Sequence, residues 1–138
     1  MFFRGQTVGK YRILSPLGSG GFGSVYLAED TWIDKKVAIK VPHRQSGKED
    51  DLLQESRLLA ALNHPNIVTI FDTGTAGPYP YFLMEYVDGV NLRQAMRTGG
   101  FTPSEALALV QDICAALKFA HEEGILHRDI KPENILID

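Results

Sequence analysis

Gly18-Ser19-Gly20-Gly21-Phe22-Gly23-Ser24-Val25-Tyr26-Leu27 is the stretch that decides the fold. Glycines at the spacing G-x-G-x-x-G occur in more than one phosphate-binding architecture, and the residues after the third glycine separate them. In dinucleotide-binding sheets that glycine opens a helix. Here Ser24-Val25-Tyr26-Leu27 continues in strand-forming residues, with Val25 two positions beyond Gly23. The stretch is therefore expected to be a β-hairpin. Its glycines let backbone N–H groups approach phosphate oxygens closely. A glycine-rich hairpin tip with no ligand is the plainer alternative.

Working outward, Tyr11 to Leu17 leads into the hairpin. After a turn at residues 30–35, Lys36-Val37-Ala38-Ile39-Lys40-Val41 forms a third run closed by Pro42. The three runs read as an antiparallel meander, with Trp32 beside the turn as a partly covered surface aromatic. Period-two geometry sends Ala38 and Lys40 to one face and Val37, Ile39 and Val41 to the other. A small residue beside a lysine suits a cleft in which a flat ring lies over Ala38 and Lys40 meets phosphate. The alternative is a solvated lysine at a strand end.

The next segment bears on that choice. Ser46-Gly47-Lys48-Glu49 is a capping-box pattern opening a helix to about Leu62, with Glu49-Asp50-Asp51 in its first turn. Leu52, Leu59 and Leu62 form an apolar stripe, and Glu55 falls within it. A carboxylate turned toward a core needs a cationic partner, or its burial costs several kcal/mol. Lys40 is the candidate.

Ile67 to Phe71 and Tyr81 to Tyr86 are expected to pair across a Gly/Pro-rich turn at 72–80. Residues 8–86 thus read as a lobe of five antiparallel strands and one helix, followed by a hinge at 87–90. From there to 138 the periodicity is helical. Asn91 to Arg97 fits a short helix. Thr102-Pro103-Ser104-Glu105 starts a long one that ends at Gly124, with apolar residues on more than one face. Beyond it, His127-Arg128-Asp129-Ile130-Lys131-Pro132-Glu133-Asn134 is a polar loop between the apolar pairs Ile125-Leu126 and Ile135-Leu136. Pro132 keeps a helix from running through it. Polar groups concentrated on a loop between rigid elements are where catalysis tends to sit.

The 138 residues carry a net charge of −3 and 44% apolar side chains, enough for a core and unsuited to a nucleic-acid or anionic-membrane surface. A single cysteine, Cys114, excludes an internal disulfide framework and suits a reducing compartment; it is expected to fill core space. Histidines 43, 64, 121 and 127 have no metal-ligand spacing. The N-terminal residues do not form a signal peptide, and no apolar run is long enough to cross a membrane. A cytoplasmic location is expected.

With the glycine loop, Val37-Ala38-Ile39-Lys40 and the His127–Asn134 loop in one order, residues 8–138 resemble a eukaryotic-type protein kinase. The likeness is greatest to bacterial receptor-associated serine/threonine kinases. The resemblance implies an α+β fold: a five-stranded N-lobe with one helix, a hinge, and the start of a helical C-lobe. It implies that Gly18, Ser19, Gly20, Gly21, Phe22 and Gly23 cover the phosphates of ATP, and that Lys40, oriented by Glu55, binds them. Leu17, Val25, Ala38 and Leu136 would sandwich the adenine, with Met84 at the back of the pocket and backbone groups of Glu85 and Val87 at the adenine edge. Asp129 would accept the proton of a protein Ser or Thr hydroxyl, Lys131 would contact the γ-phosphate, and Asn134 would hold Mg²⁺. The family's Asp-Phe-Gly motif does not occur between the catalytic loop and Asp138, so the stretch is expected to be a truncated kinase domain, inactive alone. The alternative is a pseudokinase-like module that binds nucleotide or a partner without transferring phosphate.

Overall fold

A computed structural model describes residues 2–20, 23–42, 62–124 and 135–137. The expected helix at 47–62, apart from its last residue, lies outside the described residues, and so does the loop at 127–134. The chain divides into two compact units, residues 1–61 with 69–86, and residues 62–68 with 87–138.

The first unit is one antiparallel sheet. Its strands are β1 (Thr7–Val8), β2 (Tyr11–Gly20), β3 (Gly23–Asp30), β4 (Lys35–Pro42), β5 (Ile70–Ala76) and β6 (Tyr79–Glu85), in the spatial order β1-β2-β3-β4-β6-β5. β1 adds a short strand to the five expected. Alternation assigns the faces. In β3, Tyr26, Ala28 and Asp30 are buried while Val25, Leu27 and Glu29 are half-buried. Tyr26 and Ala28 join Val37, Ile39 and Val41 of β4, Ile13 of β2 and Leu83 of β6 in one core, which Phe2, Val8 and Tyr11 close. Ile13, Ile39 and Val41 are fully enclosed, and each such side chain contributes about 1.5–3 kcal/mol by leaving water.

The β3–β4 turn is held by polar contacts. Buried Asp30 pairs with Lys10 at 3.4 Å and accepts the Trp32 N–H at 3.0 Å, while the Thr31 hydroxyl donates to the Lys10 carbonyl at 2.6 Å. Trp32 itself is 79% exposed, contrary to the expected partial cover. It sits on the outside of the turn, where the Lys10 ammonium lies 4.8 Å from its ring centroid.

The expected loop at 72–80 is mostly strand: β5 runs to Ala76 and only Gly77-Pro78 turns. Two local features disguised it. Gly74 is used because the ring of its cross-strand neighbour Tyr81 lies against the backbone, where a Cβ would come within 2.5 Å of the Tyr81 hydroxyl. Pro80 is tolerated because β6 pairs with β4 only from Phe82 onward, so the missing N–H interrupts no ladder there.

In the second unit, β7 (Val90–Asn91) pairs antiparallel with β8 (Leu136–Ile137), and the Leu92 N–H donates to the Ile135 carbonyl at 2.7 Å. The short helix α1 (Leu92–Thr98) begins with Asn91 and Gln94 capping each other reciprocally. The long helix α2 (Pro103–Glu122) has Thr102 at the N-cap, accepting the Glu105 N–H, and Pro103 in its first turn. It stops before Gly124, whose φ is +87°. Ala116 and Ala120 are buried, and the Phe119 ring stacks at a tilt on His64, centroids 5.3 Å apart. Cys114 is exposed, so it does not fill a core; the buried alanines lie on another face of the helix.

Candidate functional site

Residues directly opposite on paired antiparallel strands point to the same face, so the sheet register places the candidate residues. Val25 is opposite both Gly18 and Lys40, and Lys40 is opposite Phe82. The next row runs Leu27, Ala38, Met84, Ile70. The face away from the hydrophobic core therefore carries Val25, Lys40, Ala38 and Met84 together, with the glycine-rich hairpin at its end. Ala38 is buried there, while Val25, Leu27, Lys40 and Met84 are half-buried.

The hairpin closes through Gly18↔Val25, Ser19↔Ser24 and Gly20↔Gly23. Its glycines serve different ends. Gly23 has φ +140°, and a Cβ there would lie 2.1 Å from the Val41 carbonyl oxygen; β4 demands this glycine. Around Gly18 no described residue lies within 4 Å of where a Cβ would be. Gly18 stands in the same row as Val25 and Lys40.

Glu85 is exposed at the end of β6, where its N–H donates to the Thr69 carbonyl at 2.9 Å and its side chain accepts the Thr69 N–H at 3.3 Å. Any backbone contribution of Glu85 to a ligand therefore falls to its carbonyl. Leu17 is exposed on β2. Of the candidates in the second unit, Val87 is half-buried and Leu136 is exposed on β8. Gly21, Phe22, Glu55, Asp129, Lys131 and Asn134 lie outside the described residues. No cluster of three or more metal-ligating side chains occurs among the described residues, and the Mg²⁺ candidate Asn134 is not one of them.

Two residues of this face escaped the sequence reading, Leu27 and Phe82. The period-two rule that grouped Ala38 with Lys40 finds both when applied to Val25 and Met84. The tyrosines with shifted titration belong to the opposite face. Burial raises the Tyr11 phenol, with smaller pushes from Asp30, Tyr81 and Asp72; burial raises Tyr81 as well, followed by Asp72.

The family described as "Protein kinase domain" matches residues 11–138. The chain belongs to the protein kinase family. Serine/threonine-protein kinase pkn2 of Myxococcus xanthus is 44% identical over 133 residues, covering 94% of this chain and 16% of that protein. Serine/threonine-protein kinase PknB of Mycobacterium tuberculosis is 44% identical over 137 residues, covering 93% of this chain and 22% of that protein. PrkC of Bacillus subtilis, also named a serine/threonine-protein kinase, is 42% identical over 135 residues, covering 94% of this chain and 21% of that protein. The chain thus spans between 16% and 22% of the length of these curated relatives. Among solved structures, the Mycobacterium tuberculosis PknI kinase domain superposes with a TM-score of 0.81 at 31% identity, covering 99% of this chain and 58% of that one. The kinase-like fold and the kinship with serine/threonine kinases are established together.

Proposed function

We propose that the protein containing this stretch transfers the γ-phosphoryl group of ATP to serine or threonine hydroxyls of a protein substrate, in the cytoplasm. The observation that carries the reading is the shared face of Val25, Ala38, Lys40 and Met84 beside the backbone at Gly18. A ring laid against Ala38 and Val25 would have its phosphates led toward Lys40 and the hairpin N–H groups, where fixed charge stabilises a transferring phosphoryl group. Residues 8–86, 87–90 and 91–138 are taken as N-lobe, hinge and first part of the C-lobe. By the family pattern Leu17, Leu136, Val87 and the Glu85 carbonyl hold adenine, and Glu55 orients Lys40. Asp129 takes the hydroxyl proton, Lys131 steadies the γ-phosphate and Asn134 binds Mg²⁺. When bound, that ion neutralises charge between the β- and γ-phosphates. A single neutral amide is a poor site for a hard cation that prefers carboxylates, so residues 1–138 alone should bind nucleotide without useful turnover.

The test is radiolabelled ATP transfer by residues 1–138 beside a chain continued through a kinase C-lobe. In the continued chain, Lys40→Met should weaken ATP binding and nearly abolish transfer. Asp129→Asn should spare binding and lower turnover. Unchanged binding and turnover in Lys40→Met would remove the assignment of this face.

A further inference from the structure

Residues 2–8 lie over the core face of the sheet, opposite the Lys40 row, and the proposed reaction leaves them without a task. They are nonetheless firmly tied. Phe2 is 9% exposed, its ring centroid is 5.3 Å from that of Tyr26, and its N–H donates to the Tyr26 hydroxyl at 3.3 Å. The Gly5 N–H donates to the Ile13 carbonyl at 2.8 Å, and the Ile13 N–H donates to the Gln6 carbonyl at 2.9 Å. Thr7 and Val8 pair with Arg12 and Tyr11, and Val8 is buried. This strap therefore grips β2 at Ile13 and β3 at Tyr26.

Both grips fall at the root of the glycine-rich hairpin. Ile13 borders the first of two register irregularities between β2 and β3, at Ile13/Ser15 and Pro16/Gly18. A ladder interrupted twice in succession bends more readily than a regular one. Tyr26 stands opposite Pro16 on one side and Ile39 on the other. Its chain neighbour Val25 points the other way, between Gly18 and Lys40. A side chain anchored from behind at Tyr26 therefore fixes the height of Val25 over the opposite face.

We infer that the strap of residues 2–8 is a positioning element for the glycine-rich hairpin. Phe2 and Gln6 brace the bulged root of β2–β3 and so set where Gly18 and Val25 stand relative to Lys40. The mechanical part rests on the sheet alone, and its consequence for nucleotide affinity rests on the reading given under the proposed function.

Amide hydrogen exchange on residues 1–138 tests the mechanical part without nucleotide. Phe2→Ala should speed exchange at Ser19, Ser24 and Val25 by about tenfold or more relative to Gly74 and Tyr81, which pair in the β5–β6 ladder. Tyr26→Phe, which removes only the hydroxyl that accepts the Phe2 N–H, should give the same pattern to a smaller degree. Equal acceleration at both places, or none, overturns the proposal. If Phe2→Ala does not fold, the pattern in Tyr26→Phe decides. Titration with a fluorescent ATP analogue completes the test, with dissociation constants expected to rise severalfold in both variants. An unaltered chain that shows no analogue binding, with the exchange pattern intact, would sink the nucleotide reading and leave the brace standing.

Discussion

Gly23→Ala and Gly18→Ala change the same motif by the same methyl group, yet the structure separates their consequences widely. At Gly23 the backbone sits at φ +140°, a region that L-residues rarely enter, at a cost on the order of 1–3 kcal/mol. The added Cβ would also stand 2.1 Å from the Val41 carbonyl oxygen and 2.7 Å from the Pro42 Cα, both backbone atoms of β4. No rotamer change relieves that overlap; the strands must part where Gly23 pairs with Pro42 and Ser24 with Val41. Losing one or two ladder hydrogen bonds adds about 1 kcal/mol each. The total for Gly23→Ala is about 2–5 kcal/mol, from about thirtyfold to several thousandfold in the folding equilibrium. At Gly18 no described residue lies within 4 Å of the new methyl and φ is not positive, so stability should change by no more than about 0.5 kcal/mol. Urea unfolding of residues 1–138 followed by tryptophan fluorescence would compare the two. Equal stability of both variants would refute the claim that β4, and not a ligand, requires glycine at 23. ATP-analogue titration reads the converse, since Gly18→Ala should lose affinity while remaining folded.

Three further outcomes are expected. Because the Tyr11 and Tyr81 phenols titrate above their ordinary value of 10.0, the stabilisation from keeping them neutral is intact below about pH 10 and is lost as pH rises through the higher folded-state values. Stability measured between about pH 9 and 11 should fall in the unaltered chain and stay flatter in Tyr11→Phe/Tyr81→Phe, and parallel curves would contradict this. Thr102→Ala removes the side chain that accepts the Glu105 N–H at 3.2 Å and should cost about 1 kcal/mol by denaturant unfolding; no change would mean the cap contributes nothing to α2. Leu107 and Val110 are 60% and 54% exposed on α2, so the chain should bind a hydrophobic fluorescent dye, and Leu107→Lys with Val110→Lys should reduce the signal.

The sequence showed its local grammar clearly. Thr102-Pro103-Ser104-Glu105 signalled a helix start, and the structure places Thr102 at the cap, because the donor and acceptor involved lie three residues apart. Asn91 to Arg97 was legible as a helix for the same reason, although Asn91 proves to be its cap. The strand at Lys35–Pro42 and its two faces followed from alternation, since period two needs no knowledge of the partner strand. The candidate face was half legible. Ala38 and Lys40 announce themselves, whereas Leu27 and Phe82 join them only once the register is known.

Where the reading from sequence went astray, the deciding contact was distant along the chain. Gly74 and Pro80 suggested a loop until Tyr81 was found lying on Gly74 and β4 was found to end its pairing at Phe82. Cys114 and Trp32 carry side chains that favour burial, but their exposure depends on which elements pack beside them. Nor does anything near Phe2 in the sequence indicate that it reaches Tyr26, 24 residues away. The sequence by itself determined the order of elements, their caps and the alternation of the strands, because each depends on residues within about one turn or one strand. The register that gathers Val25, Lys40 and Phe82 in one row, the carbonyl that makes Gly23 a glycine and the strap behind the hairpin were decided by tertiary structure. Cross-strand pairing brings together atoms whose separation along the chain carries no local signal.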